Sequence, residues 1–126
     1  MPDSEPMGRT ERTLRHPTQC VLWRKPELVA SPVAENFEVL ETFIETSHWD
    51  RVLLKCRECG QVYFFEFYET IDWDAGDDSH CSTYIPVQTP EEVEVLKKAP
   101  VGDLSLFSPR LLRNYPTPPT VRWIGR

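Results

Sequence analysis

Apolar residues are densest in two adjoining stretches, "RVLLKC" from Arg51 to Cys56 and "QVYFFEFYETIDW" from Gln61 to Trp73. In the second, Tyr63, Phe65, Phe67, Ile71 and Trp73 fall on one face at period two, interrupted only by Glu69. Val62, Phe64, Tyr68 and Thr70 fall on the other, with Glu66 and Asp72. Apolar residues on both faces predict a central strand covered on each side. The Cys56-x-x-Cys59-Gly60 between the stretches predicts a hairpin knuckle. After the polar loop "DAGDDSH", the segment "CSTYIPVQ" from Cys81 reads as a returning strand.

Upstream, "SPVAENFEVLETFIET" carries two periods at once. Val33, Phe37, Leu40 and Ile44 share a helical face, with Ser31 and Pro32 as a helix start. Phe37-Glu38-Val39 alternates like a strand, and β-branched and aromatic residues are frequent. A strand over 37–44 is favoured, paired with the next through the "ETSHWD" turn. "CVLWRKPELV" from Cys20 to Val29 is expected as an edge strand, shortened by Pro26.

Downstream, "TPEEVEVLKKAP" predicts a helix. Thr89 caps it, Pro90 takes the first position, and Glu92 completes a capping box. Val93 and Leu96 form its inner stripe, Lys97 and Lys98 suit its negative end, and Pro100 stops it. "SPRLLRNY" is expected to add a short helical turn from Ser108, and "PTPPTVRWIGR" to close the chain as an extended segment. The fold class is therefore α+β: a small antiparallel sheet of three or four strands, built on the knuckle hairpin, with one or two short C-terminal helices.

Composition supports this. Of 126 residues, 40% are hydrophobic and 11% aromatic, which allows one core. Twelve prolines against five glycines argue against a helical bundle. Residues 1–19 are polar, proline-bearing and aperiodic, so they are expected as a disordered tail, with residues 20–126 as a single compact domain. Neither a membrane span nor the apolar run of a signal peptide occurs in the sequence, which predicts a cytoplasmic protein. In that reducing compartment, Cys20, Cys56, Cys59 and Cys81 point to metal or redox chemistry before a structural disulfide.

Charge is unevenly placed. Residues 35–78 carry twelve acids and three bases, a net −9, whereas the rest carries eight acids and eleven bases. An acidic middle repels nucleic-acid backbone and suits a basic protein partner. Glu66, Glu69, Asp72, Asp74, Asp77 and Asp78 are the candidate partner-binding residues, set against the plainer reading of a solubilising surface.

In a Cys-x-x-Cys-Gly knuckle two thiolates converge on one ion, and glycine permits the positive φ that the turn requires. Only one such knuckle is present, so the remaining ligands must come from Cys20, Cys81, His16, His48 or His80. His48 lies eight residues before Cys56, roughly 26 Å away along a straight strand at about 3.3 Å per residue. Cys81 begins the returning strand at the same far end. Cys20 meets no such objection, so Cys56, Cys59 and Cys20 are the candidate metal ligands, with zinc as the cofactor they suit. A remnant knuckle with free thiols, kept for its turn, is the competing reading. A redox couple is disfavoured, because a strand follows where a helix N-terminus would lower a thiol pKa, and Glu58 opposes a thiolate.

"DWDAGDD" fails the EF-hand pattern, with Gly76, Asp77 and Thr83 at the fifth, sixth and twelfth positions from Asp72. His48-Trp49-Asp50 lacks a nucleophile or oxyanion donor to work with and reads as a surface turn. Trp23, Trp49, Trp73 and Trp123 read as packing residues.

On "LLKCRECGQVYFFEF", "IDW", "GDD" and "TYIPV", the stretch from Arg51 to Val87 resembles small uncharacterised bacterial proteins with a zinc-ribbon-like CxxCG knuckle. Some of these are of the immunity type that neutralises polymorphic toxins. The resemblance covers roughly a third of the chain and departs from zinc ribbons in lacking a second CxxC. It implies a non-catalytic, acidic protein-binding domain that occludes a basic toxin partner. The alternative is a zinc-binding regulatory or nucleic-acid-binding module, whose surface would have to use Arg9, Arg12, Arg15, Arg110, Arg113, Arg122 and Arg126. No catalytic constellation is legible, so no enzyme is expected.

Overall fold

The computed structural model describes residues 12–71, 78–101, 103–115 and 120–125. The short strand β1 (Arg12–Thr13) leads to α1 (Val21–Arg24), a 3₁₀ turn (Pro26–Ala30) and α2 (Val33–Asn36). Strands β2 (Phe37–Glu45), β3 (Trp49–Cys56), β4 (Val62–Ile71) and β5 (Asp78–Val87) then form an antiparallel meander. Helix α3 (Pro90–Lys98) and a 3₁₀ turn (Asp103–Leu106) precede β6 (Phe107–Ser108), β7 (Arg110–Tyr115) and β8 (Thr120–Ile124).

The sheet has six strands in the order β2-β3-β4-β5-β7-β8, while β1 pairs with β6 in parallel beside it. This is an α+β fold on an antiparallel sheet, wider than the three or four strands expected. The additional strands are β7 and β8. The expected helical turn at Ser108 is strand instead, because Leu111, Leu112 and Arg113 pair with Tyr84, Thr83 and Ser82 on the open edge of β5. Pairing there satisfies backbone groups that local helix propensity could not.

The strand expected over 37–44 is present as β2. Two register shifts, between Val39 and Glu41 and between Thr42 and Ile44, twist this edge. The edge strand expected at 20–29 is instead α1 and a 3₁₀ turn. Proline opens that turn, and Leu22 and Val29 are driven into the core.

As the two-faced pattern of β4 requires, both sides of the sheet are covered. On one face Tyr63, Tyr84, Leu54, Phe37 and Leu111 pack against Cys20, Leu22 and Val29 of the N-terminal segment. On the other, Phe64, Ile85 and Val87 pack against Leu96 of α3, Leu104 and Phe107. Helix α3 starts with the expected capping box: the Thr89 hydroxyl accepts from the Glu92 amide and the Glu92 carboxylate accepts from the Thr89 amide. Residues 12–19, placed by the sequence in a tail, carry β1, the buried Pro17 and Leu14, which packs against the second cluster. Residues 1–11 lie outside those described. No helix among the described residues is long and apolar enough to cross a membrane.

Candidate metal centre

The knuckle is built by the end of β3, a three-residue turn and one left-handed glycine. The Cys56 amide donates to the Gln61 carbonyl at 2.8 Å, and the Gly60 amide returns to the Cys56 carbonyl at 2.9 Å. Gly60 has φ +86°, the conformation that the CxxCG pattern predicts for it. The turn is braced from the N-terminal side. Arg57 donates through its amide to the Asn36 carbonyl at 2.9 Å and through Nε to the Ala34 carbonyl at 3.0 Å.

That same N-terminal segment delivers the third cysteine. Cys20 sits extended (φ −84°, ψ 140°) at the N-cap of α1. The helix is pinned by the Trp123 indole, which donates to the Leu22 carbonyl at 2.8 Å. Trp23 stacks on His16 with ring centroids 5.2 Å apart and meets Trp123 at a tilt, 4.8 Å away. Cys20 thus comes within reach of a knuckle whose first cysteine, Cys56, lies 36 residues later.

The Sγ atoms of Cys20, Cys56 and Cys59 all lie within 4.8 Å of one another, and no disulfide joins them. Tetrahedral zinc with Zn–S of about 2.3 Å needs sulfurs about 3.8 Å apart, so a slight contraction converts this cluster into three sides of a site. Cys20 and Cys56 are buried and Cys59 is exposed, so the cluster opens to solvent on one side. All three residues proposed from the sequence are therefore together, and they could hold a metal ion.

Cys20 is ill suited to redox work. Burial pushes its thiol up to about 12. A thiol of this kind is not a ready nucleophile.

Tyr63 is the residue that sequence reasoning passed over. It is fully buried, lies in the same cluster as Cys20 and Cys56, and its hydroxyl has no hydrogen-bond partner among the described residues. Its position four residues after Cys59, on the strand leaving the knuckle, is the signal that was available.

The other candidates separate. His48 and Cys81 lie at the far end of the sheet, as the strand arithmetic implied: Trp49 pairs with Tyr68, and Tyr68 with Cys81. There His48 Nδ1 and His80 Nε2 flank the two oxygens of Glu69 at 2.7 and 3.1 Å. The hydrogen bond from His48, then that from His80, holds the Glu69 carboxyl below the usual glutamate range. Asp50 accepts from the Thr46 amide at 3.0 Å and caps the turn.

Glu66 corrects the acidic-face reading. Only 1% exposed, it cannot present its carboxylate to a partner. It accepts from Arg51 Nε at 2.9 Å, Arg51 Nη2 at 2.8 Å and the Trp49 indole at 2.8 Å. Arg51, equally buried, also donates to the carbonyls of Leu96, Lys97 and Pro100, closing the C-terminal end of α3. Asp72, Asp74 and Asp77 lie outside the described residues. Asp78 opens β5 opposite Ile71.

Comparison of the chain with protein-family models, with curated proteins and with solved structures returned no match.

Proposed function

We propose that this chain is a metal-stapled, non-catalytic binding domain in which Cys20, Cys56 and Cys59 hold zinc. One observation carries the reading: two separate segments bring three sulfurs to within 4.8 Å of one another. Three thiolates match a thiophilic ion of borderline softness and give calcium or magnesium no oxygen ligands. The metal would tie the N-terminal segment to the knuckle as a zinc ribbon ties its two halves, with the second knuckle replaced by Cys20. Elemental analysis of purified protein tests this. Stoichiometric zinc, lost in Cys56→Ser, supports it, and a well-folded wild type that takes up no zinc from a buffered solution refutes it.

A second reading concerns the partner, and β2 favours it. Val39 and Leu40 on this edge strand are 55% and 44% exposed, between the exposed Glu38, Glu41 and Glu45. A groove of about 330 Å³ runs from Leu40 and Glu41 across Leu53, Val62 and Val87 to Val93 of α3. Apolar walls with carboxylates at the rim suit a basic, extended segment of a partner protein, and occlusion of such a partner is the mechanism an immunity-type role requires. The nucleic-acid alternative has less support, since Arg110 donates to the carbonyls of Ser105 and Phe107, and Arg113 to that of Val29. A pull-down at low salt with wild type and Glu38→Lys/Glu41→Lys tests the reading. A basic partner lost in the variant and weakened by salt is expected, and a partner captured equally by both proteins refutes it.

A further inference from the structure

The hydroxyl of Tyr63 poses a problem of hydrogen bonding. It is completely buried in the same core cluster as Cys20, and among the described residues it makes no hydrogen bond. An unsatisfied buried hydroxyl costs about 1–3 kcal/mol, so such groups are rare without a reason. Phe37 packs edge-on against its ring at 5.9 Å, so the ring is held in place by the core. Phenylalanine would fill the same space without the penalty.

What the hydroxyl faces supplies the reason. The Tyr63 ring is packed in one buried cluster with Cys20 and Cys56, and the Cys59 sulfur lies within 4.8 Å of both of theirs. A neutral thiol is a weak acceptor, whereas a metal-bound thiolate is anionic and a good one. We infer that Tyr63 is a positioning residue of the metal centre, its hydroxyl donating a hydrogen bond to the Cys20 sulfur once that sulfur is bound to metal. This inference rests on the metal reading above and adds to it a group outside the ligand set.

Protons are conserved in a simple way. As the metal–sulfur bond forms, the Cys20 thiol proton leaves to solvent, and Tyr63 keeps its own and shares it with the sulfur. A tyrosine hydroxyl, with an ordinary pKa of about 10, stays protonated at neutral pH, so it acts as a donor and not as a fourth, phenolate ligand. The same contact orients Cys20, which must be recruited across the fold and is the ligand with most to gain from a fixed rotamer. The orphan hydroxyl thus biases the pocket toward its metal-loaded state.

Cobalt(II) titration of the full chain and of Tyr63→Phe tests this. Wild type is expected to develop an intense sulfur-to-cobalt charge-transfer band. In Tyr63→Phe the affinity should fall about 10- to 100-fold, as for other outer-shell partners. The band should also move to lower energy, because the sulfur lone pair is no longer stabilised. A merely structural tyrosine would not move the band. Metal-free Tyr63→Phe should unfold at the same denaturant concentration as wild type or a higher one. A variant with unchanged affinity and an unchanged band overturns the inference alone, and a wild type without the band overturns the metal reading with it. Should Tyr63→Phe fail to fold, cadmium-loaded wild type decides by NMR. A Tyr63 hydroxyl proton that moves downfield and exchanges more slowly on loading supports the inference, and one that does neither overturns it.

Discussion

Replacing Arg51 by methionine removes a side chain with many hydrogen bonds while keeping its apolar length. In the wild type its guanidinium makes two contacts with Glu66, at 2.8 and 2.9 Å, and donates to three carbonyls at or just beyond the end of α3. It also lies over the rings of Trp49 and Phe64, 5.0 and 5.8 Å from their centroids. The variant leaves the Glu66 carboxylate buried with, among the described residues, only the Trp49 indole, and strips the helix end of its donor. Breaking a buried pair by removing one partner costs about 3–5 kcal/mol. A domain of this length has a total stability of roughly 6–19 kcal/mol at about 0.05–0.15 per residue, so the loss is a large fraction of it. With an m-value of about 2 kcal/mol/M, the urea midpoint should fall by roughly 2 M at unchanged slope. The double variant Arg51→Met/Glu66→Met should recover most of the loss, because two apolar side chains leave no charge unpaired. A single variant within about 1 kcal/mol of wild type would put the pair in the class of exposed ion pairs and refute the reasoning. A double variant no better than the single would refute it equally.

Three further outcomes are expected. Cys20→Ser should abolish stoichiometric zinc and lower the thermal midpoint, while Cys81→Ser, at the far end of the sheet, retains zinc; elemental analysis and a thermal melt check both. Gly60→Ala should cost about 1–2 kcal/mol, from backbone strain at φ +86° and not from a clash, since the nearest atom to the added carbon is 3.9 Å away; denaturant titration measures it. Glu69→Gln should destabilise the protein near neutral pH. Because the folded carboxyl is held below its ordinary 4.5, its contribution is present above that value and is lost as pH falls through the lowered one. Melting curves of wild type and Glu69→Gln should therefore converge in acid, and a gap that widens there would contradict the assignment.

Much of the sheet was legible because its signals are local. Period-two alternation placed β3, β4 and β5, and the threonine, proline and glutamate of "TPEEVEVLKK" marked α3 and its capping box. The knuckle glycine needed only its own φ. The metal triad was within reach through a distance argument: strand geometry set His48 and Cys81 at the far end, and Cys20 met no such objection. Even the Arg51–Glu66 pair was open to the same counting. A hairpin that pairs Lys55 with Val62 must, four residues further along, place Arg51 opposite Glu66. Two isolated charges in apolar strands then meet on one face.

What the sequence by itself determined is the set of elements whose cause lies within a few residues: the knuckle, the central strands and the capped helix. Only the tertiary structure decided the rest. "SPRLLRNY" became strand because β5 offered an unpaired edge, which no local propensity records. "CVLWRKPELV" became helix and turn because Leu22, Val29 and Cys20 are drawn under the sheet. Glu66 changed from a candidate surface acid to a buried anchor for the same reason, since burial depends on what packs above a strand and not on the strand. The place of Tyr63 beside Cys20 is likewise a contact between distant segments, and distance along the chain is what hides such contacts from a reading of periods and spacings.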